Sequence, residues 1–276
     1  RDHHAALHEQ ARLAAEIDRP LSFAMVQTQS APDLWRKQLD IAGRALDDGI
    51  RVHPQFAARP FGMLFGFAGY HAFTHRPTFR KLKAELDDRE LGRRLADPGV
   101  RAAILAEADL PPQPVPLFDS LFAFIQHSAD SIYAIGDPPD YEPTPDQTVG
   151  AIARSRGEDP LATMYDLMLE SDGTAMLMLP FFNYVEGNHD AIHEMMTHPA
   201  AVSGLSDGGA HCGLICDASY PTFLLTHWAR DRKRGPRFPL EYVVRKQTLD
   251  TASLFGLNDR GVLAVGKKAD VNVIDL

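Results

Sequence analysis

The sequence predicts an α/β fold with a parallel sheet, on three observations. Short apolar runs of strand length alternate with helical stripes over residues 3–57. The alternation resumes after residue 148 and continues to residue 255. A buried-looking run, Ala201-Val202-Ser203-Gly204-Leu205, stops at Ser206-Asp207-Gly208-Gly209, where two glycines turn the backbone at the strand's carboxyl end. Strands and helices alternating at short spacing are the mark of parallel strands joined by crossover helices.

The elements follow in order. Leu7, Ala11, Leu13, Ala14 and Ile17 recur at helical spacing and predict a helix over residues 3–17, ended by Arg19-Pro20. Residues 21–27 read as a buried strand. Ser30-Ala31-Pro32-Asp33 starts a helix with Pro32 in its first turn, and Gly49 stops it. Residues 51–57 form the next strand. Residues 59 to about 147 break the rhythm as an insertion. Its first part, residues 60–70, is apolar and glycine-rich and reads as a pocket wall. Residues 77–106 are charged and helical, and proline-rich loops follow at 109–116 and 136–143. An insertion of this length between sheet elements is expected to be functional or a lid. The rhythm then gives a helix at 160–170, a short strand at 175–179 ending at Pro180, a helix at 188–197, the strand at 201–206 and a helix at 239–255. Residues 261–274 read as strand, turn, strand.

Composition narrows the function classes. With 45% hydrophobic residues, the 276-residue chain can bury a sizeable core. With a net charge of −9, Lys and Arg dispersed and no basic patch, no nucleic-acid partner is expected. Cys212 and Cys216 are the two cysteines; they do not form a CxxC pair, and their scarcity fits a reducing cytosol. No signal peptide and no 18-residue apolar run occurs, so no membrane is expected. Arg1-Asp2-His3-His4 enters a helix at once, and the last strands have nothing after them to pair with. Both ends look cut, as in the carboxyl part of a longer chain.

Asp207 is the leading candidate for chemistry. A carboxylate held at a strand's carboxyl end, with His211 four residues on, can bind a metal or take a proton from water. The rival reading is an Asp-Gly turn residue bonded to its own backbone. His211, Asp217 and Thr222 follow on the same side as candidate substrate contacts, with backbone bonding or helix capping as the alternative. Gln55 on the 51–57 strand is a further substrate candidate, and His53 shares its face. Arg59, just past that strand, can hold a substrate carboxylate bidentately; a surface ion pair is its rival. His3, His4 and His8 read as a solvated face. His189 and His193 stand at i,i+4, but Asp190 occupies the place a zincin glutamate would take. Asn183, Glu186 and Asn188 are candidates for lining the entrance.

Two segments carry a resemblance. Ser206-Asp207-Gly208-Gly209-Ala210-His211, followed by residues 216–224, resembles the N-acyl-D-amino-acid deacylase (D-aminoacylase) branch of the amidohydrolases. Residues 261–275, beginning Gly261-Val262-Leu263, resemble the closing segment of amidohydrolases in general. The resemblance implies the later strands of a (β/α)8 TIM barrel over residues 1–258, with residues 21–27, 51–57 and 201–206 as the sixth, seventh and eighth. Residues 259–276 would return the chain to a small β-sandwich. It also implies a zinc or other divalent metal, with most ligands in a preceding part of the barrel outside this chain. Asp207 then serves as metal ligand and as the base that passes a proton to the leaving amine. The expected substrate is a small amide, an N-acyl amino acid; a cyclic amide of the hydantoinase kind, or a barrel subunit without its metal, are the alternatives. A homo-oligomer is compatible with all three. One departure stands out: where the family places a metal-binding His at the end of the sixth strand, this chain has Gln27, in Met25-Val26-Gln27-Thr28-Gln29.

Overall fold

Apolar residues at helical spacing build the first core. Leu7 and Ala14 of the helix His3–Ile17 meet Ile41 and Ala45 of the helix Leu34–Asp47, with Val52 between them and Leu21 and Phe23 packed alongside. The computed structural model describes residues 3–111, 124–204, 206 and 217–276. Its strands, in chain order, are β1 (Leu21–Ala24), β2 (Val52–Phe56), β3 (Phe61–Phe65), β4 (Tyr133–Ala134), β5 (Leu177–Phe182) and β6 (Val202–Ser203). The described residues group into two units: one of residues 3–61, 181–204, 206 and 217–276, the other of residues 62–111 and 124–180.

The first unit is α/β with a parallel sheet in the order β1-β2-β6. Leu21 to Ala24 pair with Val52 to Gln55, and Gln55 and Phe56 pair with Val202 and Ser203. The two faces differ. Val52, Pro54 and Phe56 are buried, and Val52 joins Leu21 and Phe23 under the helices. On the other face Ser22 and Ala24 are exposed, opposite the half-buried His53 and Gln55. Parallel sheets are ordinarily covered on both faces. A sheet covered by helices on one side and carrying its small and polar residues on the other fits an arc of a (β/α) barrel.

The second unit has a sheet in the order β3-β5-β4, with β4 antiparallel to β5. Leu64, Ile135 and Met178 pack on it. The charged stretch expected to be helical is three helices, Pro77–Glu85, Asp88–Leu95 and Pro98–Ala106. Asp87 and Asp97 accept from Glu90 N and Val100 N, which satisfies orphan donors at two of the three starts. The helix Asp88–Leu95 lies so close to the end of Pro160–Gly173 that a Cβ on Gly92 would stand 2.5 Å from Asp172 O, so only glycine fits.

Several elements differ from the sequence expectation. The strand expected to stop at Pro180 runs on to Phe182, because proline and the residue before it both favour extended backbone. The helix expected over residues 239–255 is two, Leu240–Gln247 and Leu249–Leu254, parted at Thr248 (φ −120°, ψ −80°). The strands expected at 261–274 do not form among the described residues. Gly261 and Gly266 turn the chain with φ of 88° and 83°, and Leu263, Val265 and Val273 face solvent with no ladder partner for the backbone.

Candidate functional site

Two strand ends of the first unit position polar side chains. Beyond β1, Met25 N still bonds to Gln55 O, and the chain then leaves the sheet at Gln27. Gln27 is wholly buried, and each of its polar groups is engaged. Its backbone N–H donates to Asn183 Oδ1 at 2.8 Å, and its carbonyl accepts from Asn183 N at 3.0 Å. Its side chain donates to Glu186 Oε2 at 2.6 Å and accepts from Val185 N at 3.3 Å. Asn183 is itself buried and sits at φ 63°, a left-handed conformation that Asn tolerates better than most residues. This clamp fixes residues 183–186, the loop that leads to His189.

Beyond β2, Ala58 O accepts from the indole of Trp228 at 2.7 Å. Trp228 lies on the π-helix Leu224–Asp231, which continues the short helix Tyr220–Phe223. Such wide turns recur at functional sites. The buried Arg232 guanidinium lies 4.8 Å over the Trp228 ring and pairs with Asp190 at 2.8 Å. The π-helix is thereby pinned to the end of β2 and to the start of the helix Asp190–Thr197.

Between these anchors two imidazoles face each other. His189 Nδ1 and His227 Nε2 are 3.0 Å apart. His189 is wholly buried, with Tyr184, Phe223 and Trp228 rings within 6.1 Å, and His227 stacks on Phe223 at 4.5 Å. This geometry can share one proton between the rings. It also suits a divalent cation: nitrogens each about 2.0–2.1 Å from a tetrahedral zinc stand about 3.3 Å apart, within a small adjustment of what is seen. His193 takes no part in the pair. It stacks on Phe238 at 4.5 Å, and burial, then the charge of Arg232, hold it below the ordinary histidine pKa.

The residues singled out in the sequence lie as follows. Asp207 and His211 fall outside the described residues, as does the Asp217 side chain; Asp217 begins a 3-10 turn. Thr222 is exposed, and its carbonyl accepts from Thr226 Oγ1. Gln55 donates to Ser22 Oγ at 2.9 Å on the open sheet face. Arg59 is buried, 2% exposed, with its guanidinium 4.8 Å from the Tyr220 ring and a hydrogen bond to Pro60 O; it is not a surface ion pair. His53 bonds to Ala200 O at 3.0 Å. His227 carried no signal in the sequence: it lies 38 residues from His189, in no motif and at no recognisable spacing.

No curated protein matches the chain significantly. Among solved structures, it is similar to the N-acyl-D-glutamate deacylase from Bordetella bronchiseptica, complexed with zinc and a phosphonate inhibitor. Identity is 16%, the TM-score is 0.44, and the match covers 97% of this chain and 42% of that one. The chain thus spans about two-fifths of that enzyme's length. The amidohydrolase family model matches residues 3–276. With that match running over nearly every residue, including both strand ends and the two facing imidazoles, the chain belongs to the amidohydrolase family.

Proposed function

We propose that this chain supplies the later strands of a metal-dependent amidohydrolase barrel that cleaves the amide C–N bond of an N-acyl amino acid. Family membership supports the reaction class. The observation that carries the site is the pair of facing imidazoles, His189 and His227, anchored at the carboxyl ends of parallel strands, where barrel enzymes place their chemistry. The N-acyl amino acid, rather than another amide, rests on the Ser206–His211 stretch and on residues 216–224. Residues 259–276 would belong to a small β-sandwich completed by the rest of the protein, and the scarcity of cysteines supports a reducing cytosol.

His189 and His227 would hold the metal, with Asp207, which follows the β6 segment in the sequence, as a further ligand. When bound, a divalent cation there polarises a carbonyl and brings the pKa of water down to roughly 7. Asp207 takes the proton from the attacking water on its carboxylate and delivers it to the leaving amine nitrogen, so one residue serves as base and then as acid. Arg59, over Tyr220, is the proposed contact to a substrate carboxylate, and His211, Asp217, Thr222 and Gln55 are the further substrate contacts proposed.

The test is Asp207→Asn in the full-length protein, assayed on N-acyl-D-amino acids, N-acyl-D-glutamate among them. Loss of hydrolysis with folding and metal content kept is expected; an active variant removes Asp207 as the base. One observation favours a second reading. Gln27, standing where the family has a metal-binding His, is used up in bonds to Asn183, Val185 and Glu186. A barrel subunit that has lost its metal would look like this. Metal analysis separates the two, since less than roughly a tenth of an equivalent of bound metal would exclude the metal enzyme.

A further inference from the structure

The second unit contains a cavity of about 470 Å³ between residues 68–74 and the helix Pro77–Glu85. That volume lies in the range of small-molecule sites. Ala68, Tyr70 and Phe79 give it apolar walls, and Arg80 and Lys83 are its charged liners. No acidic residue lines it, in a chain whose net charge is −9. Lys83 shares its ammonium with Asp88 at 2.6 Å. Arg80 is half-buried, and among the described residues no carboxylate pairs with its guanidinium. Thr74 also lines the cavity, but its hydroxyl is spent: it accepts from His71 N and donates to His71 O, both at 2.8 Å.

The wall is preformed. His71 is wholly buried and stands edge-on to Phe79, with ring centroids 4.3 Å apart at 89°. Burial, and then the charge of Lys83, push its pKa down to about 3, so the imidazole is neutral and packs as an aromatic plate behind Phe79. Its Nδ1 accepts from Phe73 N at 3.1 Å, which locks the turn. A site with apolar walls, cations at one side and no anion of its own calls for a ligand of the opposite pattern.

We propose that this cavity binds a small organic oxyanion with an apolar tail, the acidic head on Arg80 and Lys83 and the tail against Phe79, Ala68 and Tyr70. Arg80 carries the head: its planar fork matches two oxygens of a carboxylate or a phosphate monoester, while Lys83 adds a point charge. The proposal concerns the second unit alone and does not rest on the hydrolase reading.

The test is calorimetric titration of the full-length protein with octanoate, octyl phosphate, inorganic phosphate and octanol. Saturable binding of octanoate or octyl phosphate is expected, and the tighter of the two identifies the head as carboxylate or phosphate. Arg80→Gln should weaken that binding about tenfold, the size of one charge-assisted contact. Ala84→Glu, at an exposed position on the rim, should weaken it too by placing a like charge beside the head. Melting curves matched to the parent establish that both variants fold. The proposal is overturned if neither octyl anion binds, if octanol binds as tightly as they do, if inorganic phosphate alone binds equally well, or if both variants bind like the parent.

Discussion

The two ends of the parallel sheet in the first unit use the same kinds of side chain differently. At the amino end, Lys246 donates to Ala201 O at 2.9 Å and His53 bonds to Ala200 O at 3.0 Å, so a cation and an imidazole are spent on backbone carbonyls just before β6. The Tyr242 hydroxyl does likewise, on Met196 O. At the carboxyl end, His189 Nδ1 and His227 Nε2 face each other at 3.0 Å. The local backbone there is held by others, Gln27, Asn183 and Trp228. At one end the residues that could have done chemistry hold the backbone, and at the other two such residues face each other across 3.0 Å.

The largest effect that would break this comparison is on activity. His227→Ala should lower hydrolysis by at least about 100-fold, since even the outer partners of metal ligands are worth 10–100-fold. Its melting temperature should stay near the parent's, because His227 is only half-buried. A variant that unfolds but hydrolyses normally per folded molecule would move the pair to the structural side. Next in size, Lys246→Ala should cost about 2–3 kcal/mol in denaturant unfolding, from a buried carbonyl left without its donor and a small void. Its activity per folded molecule should not change; a loss of activity at full stability would blur the two ends.

A sharper version uses pH. Burial lowers the Lys246 pKa from 10.5, with Asp250 opposing and Arg245 assisting. The unfolded chain therefore binds more protons than the folded one in the alkaline window just below 10.5. Parent stability gains in that window as pH rises, by less than about 1.4 kcal/mol per pH unit. Lys246→Met should lack this gain, so the difference between the two stability curves should slope there; a flat difference would mean the ammonium is not desolvated. The smallest effect is expected on the open face, where Gln55→Ala loses one bond to an exposed hydroxyl and should cost about 0.5–1 kcal/mol.

Much of the first unit was legible because its signals are local. The stripe from Leu7 to Ile17 predicts the helix with the bounds it has, and the apolar runs at 21–27 and 51–57 hold β1 and β2, though each is longer than the paired strand. Where the backbone departs from a periodic rule, the reading slipped. Pro180 continues a strand, Thr248 splits a helix without a Gly or Pro, and residues 261–274 have strand-forming residues but, among the described residues, no strand to pair with. Gln27 was legible only as a departure from a pattern; that it clamps Asn183 and Glu186 across more than 150 residues could not be read from spacing. The His189–His227 pair was hidden for the same reason. His227 lies in no motif, His189 stands out only by its i,i+4 spacing to His193, and what brings the two together is a π-turn with no sequence rule of its own.

That π-turn makes chain length a control in its own right. Over Leu224–Asp231 the backbone is wound wider than the α-helix that leads into it. Deleting a single residue after His227 would let the stretch relax to ordinary winding, and the larger turn per residue would carry His227 round relative to Phe223. The imidazole of His227 would swing off its ring stack while the sheet stayed as it is. A one-residue gap at this place is therefore a coarse azimuthal lever, able to dismantle the pair without altering the chemistry of any side chain in it.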